Sequence, residues 1–154
     1  PHKYFRTSLT KKTFFSSLSL IILIFLQGQS RIAQTAFNSN NLAVVVAGAS
    51  ATNTTACVVE INKTSASQTA VQTIAIPGTG TNAIRVSGSA TSTLYAANSN
   101  DGSLFCFTGH NVDGNTSANA NTFLPRAVVT VNSSGTVALA TKYTGANGQQ
   151  TRCA

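Results

Sequence analysis

The sequence predicts an all-β fold, an antiparallel meander of about eight strands preceded by a signal-peptide helix. Three observations carry that expectation. Beyond residue 30 the chain is rich in Ala, Thr, Ser, Asn, Val and Gly and poor in Leu, Lys and Glu. Residues of this kind either stiffen the side chain or compete for backbone hydrogen bonds, so they disfavour helix and suit strands joined by polar turns. Short apolar runs recur at close spacing between Gly-, Ser-, Asn- and Pro-containing breaks, the pattern of hairpin-connected strands. The only continuous apolar stretch of another kind lies near the start.

That stretch, residues 1–30, has the layout of a secretory signal peptide. Lys3, Arg6, Lys11 and Lys12 form a positive leader, which stays cytoplasmic while the next segment inserts. The apolar core runs from Leu18 to Leu26, with Phe14 and Phe15 ahead of it. It is about 9–13 residues long, within the range of an export signal, whereas a bilayer-spanning helix needs about 20. The core is apolar all round, unlike an amphipathic helix with one apolar stripe. Gly28 and Ser30 supply the small residues expected before a cleavage site, which places cleavage after Ser30. The chain begins at Pro1 and contains no methionine, as expected of an excerpt or a processed product.

Export changes the meaning of the charge. The whole chain carries +7, but four of its basic residues lie in the signal. What remains is Arg31, Lys63, Arg85, Arg126, Lys142 and Arg152 against Glu60, Asp101 and Asp113. These basic residues are scattered, and nucleic-acid binding calls for a patch or stripe. No nucleic-acid partner is expected, nor a membrane association after cleavage; the expected location is secreted and extracellular.

The exported part divides into a polar lead-in, residues 31–40, and a β domain, residues 41–154. Leu42–Ala47 is an apolar run of the kind buried on both faces. After a small-residue loop comes Cys57–Ile61, then Ala70–Ile76, stopped by Pro77-Gly78. Asn82–Val86 is the next expected strand, ending near Gly88. Thr93–Ala97 and Leu104–Thr108 flank the turn signal Asn98-Ser99-Asn100-Asp101-Gly102. Arg126–Val131 and Thr136–Tyr143 flank Asn132-Ser133-Ser134-Gly135. In Leu94–Ala97 and Leu104–Phe107 both alternating faces are apolar, which places these strands between two other layers, as in a β-sandwich or a propeller blade.

Several segments carry a resemblance. Asn41-Leu42-Ala43-Val44-Val45-Val46-Ala47-Gly48 and Ala70–Pro77 resemble the opening of a family of secreted β-propeller-like repeat proteins of unassigned function, seen in bacteria. Ser87–Ser92, Asn100–His110 and Ala127–Val137 continue the similarity, which covers most of residues 41–154. Cys57 and Cys106 depart from the pattern. The resemblance implies a partial propeller-like array with no catalytic residues. Since 154 residues are too few to close four or more blades, it also implies an N-terminal fragment of a longer propeller.

Cys57, Cys106 and Cys153 all lie in the exported part, where disulfides form. A Cys57–Cys106 bridge would join two expected strands, closing about 50 residues for roughly 4 kcal/mol. Cys153 is left to pair with either one, with another chain or with a cysteine past Ala154. The alternative is that Cys57 and Cys106 are free thiols in strands. Asn53, Asn62, Asn115 and Asn132 head Asn-x-Ser/Thr sequons and are candidate glycosylation sites in expected loops.

The catalytic inventory is poor. His110 is the one histidine after the signal, and Asp101 and Asp113 both precede Gly in turn-forming pairs. A pair of facing carboxyls, a Ser-His-Asp triad with its Gly-x-Ser-x-Gly elbow, and a zinc site with paired ligand spacing all lack support. Asn98–Gly102 has one carboxylate and no terminal Glu, which falls short of a calcium loop. No enzyme activity, cofactor or metal is expected. The first expectation is a secreted structural or surface-interaction protein that self-associates through exposed strand edges, with lead-in residues Ile32 and Phe37 as a strand donor. The alternative is an extracellular carbohydrate- or ligand-binding module using Asn98, Asn100, Asp101 and His110, with extracellular glycans as partners.

Overall fold

Runs of Val, Ile, Ala and Phe pair wherever a polar turn lets the chain reverse, and seven strands result among the described residues. The computed structural model describes residues 34–49, 51–114, 117–145 and 148–151. The expected signal helix, Asn115 and Cys153 lie outside the described residues. The strands are β1 (Asn41–Ala47), β2 (Ala56–Asn62), β3 (Gln72–Ala75), β4 (Ala97–Asn98), β5 (Leu104–His110), β6 (Arg126–Asn132) and β7 (Val137–Tyr143). Among the described residues the only helical element is a 3₁₀ turn at Ala120–Thr122. The described residues are therefore all-β, in two antiparallel sheets ordered β1-β2-β3 and β4-β5-β6-β7. Within each sheet, sequence neighbours are sheet neighbours, as short connections favour, and the chain changes sheet between β3 and β4. The described strands close neither a barrel nor a propeller.

Register decides what is buried. In the first sheet, Ala47, Val45 and Ala43 lie opposite Ala56, Val58 and Glu60 of β2, and Val58 lies opposite Ile74. In the second, Phe107 lies opposite Val129 and Phe105 opposite Val131, with β7 adding Leu139 and Val137. Apart from Glu60, these inward residues form one apolar cluster shared by both sheets. Burying a side chain such as Phe107, Ile74 or Val129 completely contributes about 1.5–3 kcal/mol, so this shared cluster is the main reason the two sheets stay together.

The strand count falls one short of expectation because Asn82–Val86 does not join a sheet. Its Val86 bridges Thr54 and its Arg85 bridges His110, each as an isolated pairing. Ile84 and Val86 nevertheless fill the core, so their apolar pattern reflects burial without a ladder. Gly109 makes this crossing feasible, since a side chain there would run into Ile84. The expected strand Thr93–Ala97 shrinks to two residues, β4. Leu94 takes φ +61°, a left-handed conformation that an extended strand excludes.

A second correction concerns β1. Its apolar run reads as a strand buried on both faces, yet Leu42, Val44 and Val46 are 51%, 40% and 41% exposed. Only the alternate residues Ala43, Val45 and Ala47 pack on the core. β1 is an edge strand whose outward face is apolar and meets solvent.

The inward face of the first sheet holds one charge, Glu60, at the position after Val58 in the buried series of β2. A buried carboxylate is tolerated only when donors surround it. The Asn38 backbone N–H (2.8 Å) and the Asn41 amide (2.7 Å) donate to Oε1, and the Gln72 amide (2.6 Å) donates to Oε2. Burial pushes the carboxyl up, but these three donors outweigh it and hold Glu60 below the ordinary glutamate value. The network ties the lead-in to β1, β2 and β3 together. Thr35 adds to it by accepting from Gln72 through its carbonyl.

Glu60→Gln removes the charge and turns one acceptor into a donor facing the Gln72 amide. Leaving buried donors unmatched costs about 1–3 kcal/mol, and chemical denaturation should show a loss of that size. Because the folded value is depressed, Glu60 contributes stability above the ordinary carboxyl range, and that contribution is lost as pH falls through the folded value. The E60Q variant should therefore lose less stability on acidification than the wild type.

Candidate functional site

At the end of the sheets where β1 and β5 begin and β6 ends, the two layers part to form an open cleft of about 480 Å³. Phe37 of the lead-in, Phe105 of β5, Asn41, Asn98, Leu42 and Ser133 are among the residues that line it, with aliphatic Ala43 and Val131. Phe37 is fixed there because its N–H donates to the Ser133 carbonyl at 2.8 Å, joining the lead-in to the β6–β7 turn. Asn41 is fixed by its bond to Glu60. No charged side chain lines the cleft.

Both turns beside the cleft are closed by their own side chains. Asn132 Oδ1 accepts from the Ser134 and Thr136 N–H groups at 3.1 and 2.9 Å. Asp101 Oδ1 accepts from the Ser99 hydroxyl at 2.6 Å and from the Ser103 N–H at 3.1 Å. Asp and Asn side chains that mimic a backbone turn in this way are common loop formers. Led by the Ser99 bond, these donors lower the Asp101 carboxyl to about 2 although it is exposed. Gly102 takes φ +71°, which a residue without Cβ adopts freely.

The other end of the second sheet is polar but closed. His110 is buried between its two partners in register, Arg85 and Arg126. Its Nδ1 lies 3.2 Å from the Phe123 carbonyl, so in the neutral ring that nitrogen carries the proton. Burial pushes the imidazole down, Arg126 adds to this, and the Phe123 carbonyl opposes it; the net value lies below 6.5. Arg85 Nε donates to Asn53 Oδ1 at 2.7 Å, and Arg126 Nη2 donates to the Gln149 carbonyl.

The four expected ligand-turn residues are thus divided. Asn98 lines the cleft, Asn100 and Asp101 sit in the exposed turn next to it, and His110 lies at the far end of β5, about 20 Å away at 3.4 Å per residue. Asp101 and His110 therefore do not share one pocket. Among the described residues no group of three His, Cys, Asp or Glu side chains is placed to hold a metal ion.

The two described cysteines are free thiols. The expected Cys57–Cys106 bridge is absent because the residues lie on opposite outer faces of the layered core. Cys57 alternates with the inward Ala56 and Val58, and Cys106 alternates with the core residues Phe105 and Phe107. Burial pushes the Cys57 thiol up, which makes it less reactive. Among the sequons, Asn62 and Asn132 end strands at the surface, while Asn53 is buried and engaged by Arg85. A glycan on Asn53 would displace that contact.

Over its described part the lead-in is held by the chain itself, with the Phe37 N–H bonded to the Ser133 carbonyl. Phe37 packs on the chain's own core, and Ile32 lies outside the described residues. Its role and that of Glu60 escaped sequence reasoning, although a single carboxylate in the apolar run Cys57–Ile61, in phase with Val58, signals a buried polar anchor. The chain finds no match among protein-family models, curated proteins or solved structures.

The Asp101 carboxyl should titrate near 2 by NMR, and Ser99→Ala with Ser103→Ala should move it toward 3.8. For His110 the folded value is the lower one, so the unfolded chain binds more protons between the two values. Stability should fall as pH drops below about 6.5 and level off below the folded value. His110→Gln should flatten that part of the stability–pH curve.

Proposed function

We propose that this is a secreted structural or surface-interaction protein, without catalytic activity, that self-associates through the edge of β1. Export rests on the signal layout of residues 1–30. Two layers meeting across one core suit a pair of neighbouring propeller-like blades as well as a small β-sandwich. The ionisable groups support a non-catalytic reading because the fold uses them structurally. Glu60 is bound by three donors, Asp101 closes its own turn, and Asp113 accepts from the Gly80 N–H.

The observation that carries the proposal is the contrast among the four sheet edges. Proteins blunt their edges with short strands, charges, prolines or bulges. β4 has two residues; β3 has four and runs toward Pro77; β7 carries Lys142 and pairs across a bulge at Val128/Val129. β1 has seven residues, Asn-Leu-Ala-Val-Val-Val-Ala, with no charge, proline or bulge. Among the described residues no strand pairs with its outer edge. Its exposed Leu42, Val44 and Val46 are also uncharged and apolar, so two copies meeting antiparallel about Val44 would join two three-stranded sheets into one. Such a two-fold contact is self-complementary.

Val44→Lys places a charge at the middle of that edge, on a side chain already 40% exposed. In sedimentation velocity the wild type should form dimers or larger species as concentration rises, and the variant should stay monomeric with an unchanged circular dichroism spectrum. A wild type that is monomeric at every concentration would overturn the proposal.

A further inference from the structure

We infer that the cleft between the sheets is a binding site for a neutral saccharide. Its volume of about 480 Å³ falls within the roughly 300–1,000 Å³ of small-molecule sites. The lining combines apolar and uncharged polar groups: Phe37 and Phe105 beside aliphatic Leu42 and Val131, with Asn41 and Asn98 among the hydrogen-bonding side chains. A sugar ring has the matching character: one face of polarised C–H groups that stacks on the negative face of an aromatic ring, and a rim of hydroxyls that both donate and accept.

Other ligand classes fit worse. An anion would find no Lys, Arg or His in the lining, and a cation would find no carboxylate. A lipid chain would strip water from the amides without replacing their hydrogen bonds, which is unfavourable. The Asn98 amide is exposed and has no partner among the described residues. It offers a donor and an acceptor side by side, the pair that two adjacent hydroxyls satisfy. The cleft is also built in advance, since Glu60 holds Asn41 and Ser133 holds Phe37, and a preformed site loses little entropy on binding.

This inference does not rest on self-association: Asn98 and Phe105 lie in the other sheet from β1, and Val44 and Val46 do not line the cleft, although Leu42 belongs both to its rim and to the β1 edge. The test is calorimetric titration of the full chain with neutral oligosaccharides of glucose, mannose and N-acetylglucosamine. At least one should bind, and Asn98→Ala should weaken it about tenfold, the loss of one good hydrogen bond. The thermal midpoint of that variant should not move, as Asn98 supports nothing else. Phe105→Tyr, which keeps the ring, should retain binding, and so should Val44→Lys. Failure of every neutral saccharide to bind would overturn the inference, as would preference for sulfated or sialylated sugars, or an affinity unchanged by Asn98→Ala.

Discussion

The buried carboxylate of Glu60 is the constraint on which the rest of the structure depends. Three donors from three segments converge on it: the Asn38 N–H in the lead-in, the Asn41 amide at the start of β1 and the Gln72 amide in β3. Without it the inward face of the first sheet would hold no charge, and the lead-in would keep its bonds between Thr35 and Gln72 and from Phe37 to Ser133. With it, the lead-in crosses to the second sheet, where Phe37 joins the core and bonds to Ser133. The same anchor sets the start of β1 and one wall of the cleft.

The core and the surface divide the labour by register. Alternate residues of β1 and β2 face the second sheet, and the others face outward. The outward set of β1 is as apolar as the inward set, which is unusual for a solvated face and marks interaction surfaces when contiguous. The second sheet is treated differently: its edges are short, bulged or carry Lys142, and its far end is closed around His110 by Arg85 and Arg126. One side of the molecule is finished; the other is left open.

Much of this was legible in the residues. The β-branched runs, with the turn signals Asn98–Gly102 and Asn132–Gly135, located β2, β5, β6 and β7 closely, because local chemistry and tertiary packing agree there. Asn82–Val86 looked like a strand because burial in the core imposes the same composition as a ladder does. Leu94 broke the expected Thr93–Ala97 strand by a backbone conformation that its side chain does not announce. The apolar run of β1 gave its strand character but not its edge position, since periodicity reports what a residue prefers and not whether a neighbour is present. The cleft was half legible: Asn98 stood out as a turn residue, whereas Phe37 and Asn41 depend on Glu60 bringing a distant segment into place. His110 lies apart from Asn98 because the seven residues of β5 carry it to the opposite end of the sheet.

The central claim is that β1 is the open edge at which the chain meets its own copy, and amide hydrogen exchange along β1 tests it most directly. In dilute solution the N–H groups of β1 that point away from β2 should exchange fast while their neighbours, bonded to β2, stay protected. At high concentration the outward set should become protected as well, in an alternating pattern centred on Val44. Exchange of the outward amides that does not change with concentration, or protection that grows at β7 instead, would contradict it.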